Sequence, residues 1–280
     1  MAKIINRNKK IIAIVQARCN SFRLPNKVMK KFAGVPAIEI LHKRLSLSKK
    51  IDNIIIATSK NNINLKLVNF CKEKKIDFFL GSEDNVLKRY FEASKKFNAD
   101  IIVRITGDSV LIDPRLVDKV IDIFQKNKVD YASNCQPPTF PDGLDIEVFS
   151  KNCLTKTFKL AKNKHDKEHV TPLMRSSKQF KRINVKNSIN YSHIRWSLDQ
   201  EEDFQEIKSI LNYFNVNKYF SWKEILKLTE SNKNKFYKNI KITRNEGAKM
   251  SKTSKVWKRA KEIIPGGNML LSKRPELFLP

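Results

Sequence analysis

Apolar residues along the chain fall into two alternating patterns. Ile11 to Ala17 (IIAIVQA) and Asn53 to Ser59 (NIIIATS) are near-continuous apolar runs of strand length, as in parallel strands buried on both faces. Asp77 to Gly81 (DFFLG) and Ala99 to Asp108 (ADIIVRITGD) repeat that pattern, and Val129 to Ser133 (VDYAS) is a fifth strand. Between these runs apolar residues recur at helical spacing. Ile38, Leu41 and Leu45 do so over Pro36 to Leu45, and Ile63, Leu67 and Phe70 over Asn61 to Glu73. Val86, Leu87, Tyr90, Phe91 and Ala93 form a stripe over Asp84 to Phe97, and Pro114 to Gln125 is a helix with Pro near its start. The β-α-β-α order predicts an α/β fold, a mostly parallel sheet with helices on both faces.

After residue 133 the pattern changes. Gln136 to Gly143 is a Pro-rich loop, and Leu144 to Phe149 alternates apolar and acidic residues like a half-buried strand. Helices are expected at Lys151–Ala161, Lys167–Arg175, Glu201–Phe214 and Trp222–Thr229, with a strand near Ile194–Leu198 (IRWSL). From Ser231 the chain turns polar. The domain division is therefore 1–9 as a basic tail, 10–242 as the main domain, and 243–280 as a linker (Thr243–Thr253) followed by a short amphipathic segment.

Composition narrows the function. Hydrophobic residues make up 41% of 280, enough for a sizeable core, and no run approaches a membrane-spanning length. The N-terminus MAKIINRNKK lacks a signal-peptide apolar region, which places the chain in the cytoplasm with no membrane partner. Cys19, Cys71, Cys135 and Cys153 are scattered without metal-ligand spacing and read as reduced structural thiols. The net charge of +28 is spread along the chain, with no RNP motif, zinc finger or basic stripe interleaved with aromatics. A small polyanion such as a nucleoside triphosphate suits it better than nucleic acid.

Ligands of open α/β sheets bind beyond the C-terminal strand ends, which directs attention to 17–27, 58–59, 81–84 and 106–113. The loop Ala17 to Lys27 (ARCNSFRLPNK) carries Arg18, Arg23 and Lys27 beside Asn20 and Ser21. Such cations suit several phosphate oxygens, although a solvated basic loop has the same composition, and the loop is neither a P-loop nor a dinucleotide fingerprint. In Arg104 to Ser109 (RITGDS), Asp108 emerges at a strand end, either as a Mg²⁺ ligand or as part of an ordinary Gly-Asp turn. In Asp142 to Val148, Asp145 and Glu147 share one strand face, fit for sugar hydroxyls or a metal, or simply a polar edge. In Arg195 to Phe204 (RWSLDQEEDF), Asp199 is either a metal ligand or a helix N-cap. Arg89 and His169 are further nucleotide or sugar contacts, or surface residues.

The ordered segments AIVQARCNSFRLPNKVM, FLGSEDNVLKRY, VRITGDSVLIDP, PDGLDIEVFS, KEHVTP and RWSLDQEEDF resemble the cytidylyltransferase superfamily that activates acidic sugars. That group includes the acylneuraminate and 3-deoxy-manno-octulosonate cytidylyltransferases, and the SpsF-type spore-coat polysaccharide branch looks most alike, over about Lys10 to Thr229. The resemblance implies a Rossmann-like sheet in which Arg18, Ser21, Arg23 and Lys27 cradle the phosphates of CTP, with Gln16, Thr58 and Ser59 near the base or ribose. By the same resemblance Arg89 and Arg104 would be further nucleotide-binding residues, and Arg18, Lys27 and Asp108 would be the catalytic ones. Asp108 and Asp199 would hold Mg²⁺, and Asp145, Glu147 and His169 would face the acceptor sugar.

The implied reaction is in-line attack of a sugar oxygen on the α-phosphorus of CTP, with pyrophosphate leaving. The alternatives are a nucleotide-sugar-dependent glycosyltransferase, against which the lack of a DxD motif counts, and a non-catalytic nucleotide-binding module. Family analogy suggests a homodimer. The tail SKVWKRAKEIIPGGNMLL resembles the opening of glutamate-1-semialdehyde-type, PLP-dependent aminotransferases, which implies a truncated fusion; a generic amphipathic helix ending in Pro-Gly-Gly is the alternative.

Overall fold

In a computed structural model of the chain, residues 9–233, 235–237, 242 and 244 are described. The chain divides into two units, Met1–Asn239 and Ile240–Pro280. Of the second unit only Ile242 and Arg244 are described, so the expected linker, apart from Arg244, and the amphipathic tail lie outside the described residues.

The elements of the first unit begin with β1 (Ile11–Gln16), a small hairpin of β2 (Lys31–Phe32) and β3 (Val35–Pro36), and α1 (Ala37–Leu45). Next come β4 (Asn53–Ser59), α2 (Leu65–Glu73), β5 (Phe78–Gly81), α3 (Val86–Lys96), β6 (Ile101–Thr106) and α4 (Pro114–Asn127). β7 (Tyr131–Ser133), β8 (Glu147–Ser150), α5 (Lys151–Leu160), α6 (Lys164–His169), α7 (Pro172–Ser176), β9 (Arg182–Asn184), α8 (Glu201–Phe214) and α9 (Trp222–Ser231) follow. The main sheet has the order β5-β4-β1-β6-β8-β7-β9. β1 is central and pairs in parallel with β4 on one side and β6 on the other, while β8 runs antiparallel to both β6 and β7.

The apolar runs are continuous because both faces are covered. Ala13, Val15, Ile54, Ile56, Val103 and Ile105 pack with α1, α2, α4, α8 and α9, while Ile12, Ile14, Ile55, Ala57 and Ile102 pack with α3, α5 and α7. α4 starts where the sequence places it: Asp113 accepts the Arg115 and Leu116 amides at 2.8 and 3.2 Å, ahead of Pro114. The second oxygen of Asp113 accepts the Trp222 amide at 2.8 Å and so fixes the start of α9. Among the described residues no helix is long and apolar enough to cross a membrane.

Three expected elements differ. The helix expected over Lys167–Arg175 is split into α6 and α7, because Val170 has φ +69 and Pro172 has no N–H to continue the turn. The strand expected at Leu144 starts only at Glu147: the Asn134 side chain replaces the ladder, donating to Leu144 O and accepting from Ile146 N at 2.8 Å each. The strand expected near Ile194 is a single bridge between Asp142 and Arg195, and the sheet ends on β9, which pairs with β7.

That bridge requires Gly143. It sits at φ +97, and a Cβ there would lie 2.6 Å from the Trp196 carbonyl carbon and 2.7 Å from the Ser197 nitrogen. Gly143→Ala is expected to destabilise the protein by about 2 kcal/mol or more, because backbone rather than a flexible side chain must move. Urea denaturation of the two proteins measures the difference.

Candidate active site

The polar groups of the chain collect where the central strands end. β1 finishes at Gln16, and the loop after it is fastened by backbone and core contacts rather than by its cations. The Cys19 amide donates to Asn64 Oδ1 at 2.8 Å, Asn26 in the left-handed region donates to Cys19 O at 2.9 Å, and Leu24, Val28 and Met29 are buried. Lys27 opens a 3-10 turn, Lys27–Met29, directly after Asn26. β6 ends beside β1, and the Gly107 amide donates to Gln16 O at 2.9 Å. A Cβ on Gly107 would meet Ala17 Cβ and Gln16 O at 3.0 Å, so glycine permits the close approach that brings Asp108 to the loop.

Asp199 arrives from the far end of the chain through a backbone bond: the Leu198 amide donates to Asp108 O at 3.0 Å. Its neighbour Gln200 is the N-cap of α8, and Asp203 accepts the Asp199 and Gln200 amides at 2.9 Å each. Helix capping thus falls to Gln200 and Asp203, which leaves the Asp199 carboxylate for cations. Lys27 Nζ lies 2.8 Å from Asp108 Oδ2 and 2.6 Å from Asp199 Oδ1. Arg23 reaches Asp199 Oδ2 at 3.0 Å, and Arg195 reaches the same oxygen at 3.2 Å. Burial opposes both charges at the Lys27–Asp199 pair. The attraction wins: Lys27 is raised above the usual lysine range by the two carboxylates, and Asp199 is held well below the carboxylate range by Lys27, then Arg23 and Arg195. The Lys27, Asp108 and Asp199 side chains keep 13%, 22% and 20% exposure, so a ligand can reach them.

Arg195 anchors this corner. Its guanidinium donates to Asp203 Oδ1 and Oδ2 at 2.9 and 3.0 Å and to Asp142 Oδ2 at 2.8 Å. Sequence reasoning did not single out Arg195, although Arg195, Asp199 and Asp203 stand four residues apart in RWSLDQEED. It also missed Tyr131 and Arg175. The Glu147 carboxylate is 2% exposed, is gripped by Arg104, and accepts from Tyr131 Oη at 2.5 Å and Arg175 Nη2 at 2.7 Å. Its oxygens face these protein groups, whereas Asp145 lies just before β8 and half-buried, and His169 ends α6 with its ring 4.6 Å from that of His165.

Several buried polar atoms around the strand ends have no hydrogen-bond partner: Gln16 Oε1, Asn20 Oδ1, Arg23 Nε, Thr58 Oγ1, Arg89 Nε and Arg104 Nε. Folded chains rarely leave such groups unpaired, and polar ligand sites are where they do. Arg89 is 3% exposed, and burial lowers its guanidinium below the usual arginine range; among neighbouring charges, that of Arg18 acts in the same sense. Arg18 itself is exposed after β1. Ser59 Oγ accepts from Asn64 Nδ2 at 2.8 Å, tying the end of β4 to the residue that holds Cys19. Glu83 accepts from Asn20 and Asn61 at 2.7 and 2.8 Å, at the rim of a depression of about 500 Å³ lined also by Lys60, Ser82 and Lys88.

The structure thus brings together Arg23, Lys27, Asp108 and Asp199, places Arg18 near Arg89, and pairs Arg104 with Glu147. Two carboxylates about one-fifth exposed and bridged by Lys27, without a surrounding cage of His, Cys, Asp and Glu among the described residues, are the donor set a hard divalent ion uses with substrate phosphates. The cysteines are free, and burial pushes the Cys71, Cys135 and Cys153 thiols up to about 12, which leaves them protonated and unreactive.

Comparison with known proteins agrees with this fold. The cytidylyltransferase family profile matches residues 12–252. The chain is similar to an uncharacterized protein of Methanocaldococcus jannaschii, 38% identical over 210 residues that cover 74% of this chain and 85% of that one. It is also similar to the spore coat polysaccharide biosynthesis protein SpsF of Bacillus subtilis, 30% identical over 208 residues, 71% of this chain and 85% of the relative. Among solved structures, a cytidylyltransferase from Leptospira borgpetersenii superposes with a TM-score of 0.77 at 32% identity, covering 81% of this chain and 96% of that one.

The buried Glu147 gives a pH test. Burial raises its pKa, but Arg104 and Arg175 with the Tyr131 and Arg175 hydrogen bonds win and lower it from 4.5 to about 2. A carboxylate lowered on folding stabilises fully above its unfolded pKa and loses that contribution as pH falls through the folded one. Relative to Glu147→Gln, the native protein is expected to lose about 3 kcal/mol of stability between pH 5 and pH 2, read from denaturant titrations at each pH.

Proposed function

The chain belongs to the cytidylyltransferase family, and we propose that it transfers CMP from CTP to a sugar or sugar acid, releasing pyrophosphate, in the synthesis of a surface polysaccharide. The observation that carries this reading is the meeting of Asp108 and Asp199 on one ammonium group, in the same loop as Arg18 and Arg23. Phosphoryl and nucleotidyl transfers depend on positioning and on neutralising charge on the phosphate oxygens, and this corner supplies both.

In the proposed mechanism Arg18, Ser21, Arg23 and Lys27 hold the triphosphate, and Arg89, a buried cation with an unpartnered Nε, adds charge from α3. Gln16 Oε1 and Thr58 Oγ1 are orphaned acceptors available to the nucleoside. Asp108 and Asp199 are the residues that would hold Mg²⁺, which when bound neutralises phosphate oxygens and acidifies an attacking hydroxyl. Asp145 and His169 are assigned to the acceptor, and Glu147 positions Arg104 through their ion pair. The acceptor's acidic character rests on the resemblance to cytidylyltransferases of acidic sugars. A homodimer and an aminotransferase segment fused beyond residue 253 complete the reading.

Pyrophosphate release is expected with CTP, and not with the other three nucleoside triphosphates, when an acidic-sugar panel is tested with Mg²⁺. Asp108→Asn and Asp199→Asn are each expected to lower that release by about 100-fold or more while far-UV circular dichroism stays native. Undiminished turnover in either variant would sink the assignment.

A further inference from the structure

Asp108 and Asp199 are held close by contacts that do not involve their side chains. The Leu198 amide bonds to Asp108 O at 3.0 Å, and Asp203 fixes the Asp199 and Gln200 amides at 2.9 Å. The carboxylate pair is therefore preformed, and two like charges so near each other require a cation. In this structure the group between them is Lys27 Nζ, 2.8 Å from Asp108 Oδ2 and 2.6 Å from Asp199 Oδ1. Arg23 and Arg195 touch only the outer oxygen, Asp199 Oδ2.

We propose that Lys27 is an intrinsic counter-ion of this dicarboxylate: it keeps the pair closed to divalent cations in the nucleotide-free protein and moves to the triphosphate when the pair is taken. The inference rests on the reading of Asp108 and Asp199 as metal ligands. The residue type fits the task, since lysine is a compact point charge on a flexible four-carbon stem, whereas a guanidinium fork favours one fixed bidentate partner. The backbone beneath it is anchored by buried Val28 and Met29, so the swing is confined to the side chain. The stem emerges from the loop that carries Arg18, Ser21 and Arg23, so the displaced ammonium lands among the proposed phosphate ligands. Metal and nucleotide then strengthen one another's binding reciprocally through a single side chain.

The test is Mn²⁺ affinity of the nucleotide-free protein, by isothermal titration calorimetry and by electron paramagnetic resonance of free Mn²⁺. Lys27→Met is expected to bind Mn²⁺ at least about tenfold more tightly than the native protein, with a larger Mn²⁺-induced rise in Tm, because the competing cation is gone. Adding Asp108→Asn to that variant is expected to abolish the gain. Lys27→Gln, which keeps a neutral donor between the carboxylates, reads the same way if the Met variant fails to fold. Equal or weaker Mn²⁺ binding in the folded Lys27 variant overturns the counter-ion role while leaving the metal assignment intact. If Mn²⁺ binding by the native protein with CTP is indifferent to Asp108→Asn, the metal assignment itself falls and the proposal with it.

Discussion

The site depends on holding two aspartates side by side against their own repulsion. Neither carboxylate is positioned by the other. Asp108 is delivered by the end of β6 through the close approach of Gly107 to Gln16, and Asp199 by a segment whose amide at Leu198 bonds to Asp108 O. Arg195 then fastens that segment to Asp142 and Asp203, both essentially buried, with four charge-assisted hydrogen bonds counting its contact to Asp199. A preformed pair of this kind stores a requirement for positive charge at one point in space. The loop after β1 answers that requirement with Lys27 and Arg23.

The mixed sheet is what makes the delivery work. β1, β4 and β6 run in parallel, so their C-terminal ends lie along one edge and expose their loops together. β8 reverses direction beside β6, and its first residue, Glu147, therefore faces Arg104 near that same edge. Arg175 from α7 and Tyr131 from β7 close over Glu147. The antiparallel end of the sheet contributes charge pairing that holds an arginine in place, and the parallel part contributes the open loops.

Much of this was legible from sequence because it is local. Buried parallel strands read as continuous apolar runs, which gave β1, β4 and β6, while helical spacing together with Pro36 and Pro114 near two helix starts gave α1 to α4. The segment after residue 133 was harder, since its order depends on side chains standing in for backbone. Asn134 bonds in place of a ladder ahead of β8, and Val170 and Pro172 interrupt a run that looked helical. β2 and β3 are two residues each, too short to show any period. In the site, the cationic loop and the two aspartates were visible as motifs, and their convergence was expected from the family resemblance rather than from the residues themselves, because it rests on contacts between residues far apart in the chain. Glu147 looked like an open acid on a strand face; that Arg104, Tyr131 and Arg175 enclose it is a fact of three dimensions. Arg195 was overlooked because an arginine at the start of RWSLDQEED carries no signal until the chain folds back onto Asp142.

The division between arginine and lysine at this corner follows from their chemistry. Arg195 and Arg175 hold buried carboxylates through two guanidinium nitrogens each, and those carboxylates stay paired: Asp203 is fully buried and Glu147 is 2% exposed. Lys27 is the bridging cation, and the two carboxylates it bridges are the ones that remain about one-fifth exposed. Fixed pairing is thus placed where solvent and ligand do not reach, and the exchangeable charge is placed where they do. The orphaned polar atoms of Gln16, Asn20 and Arg23 belong to the end of β1 and the loop after it, and that of Arg89 to α3. Groups left unpaired by folding are tolerated where a polar ligand binds, and under the proposed function that ligand is CTP, which carries both a polar base and several anionic oxygens.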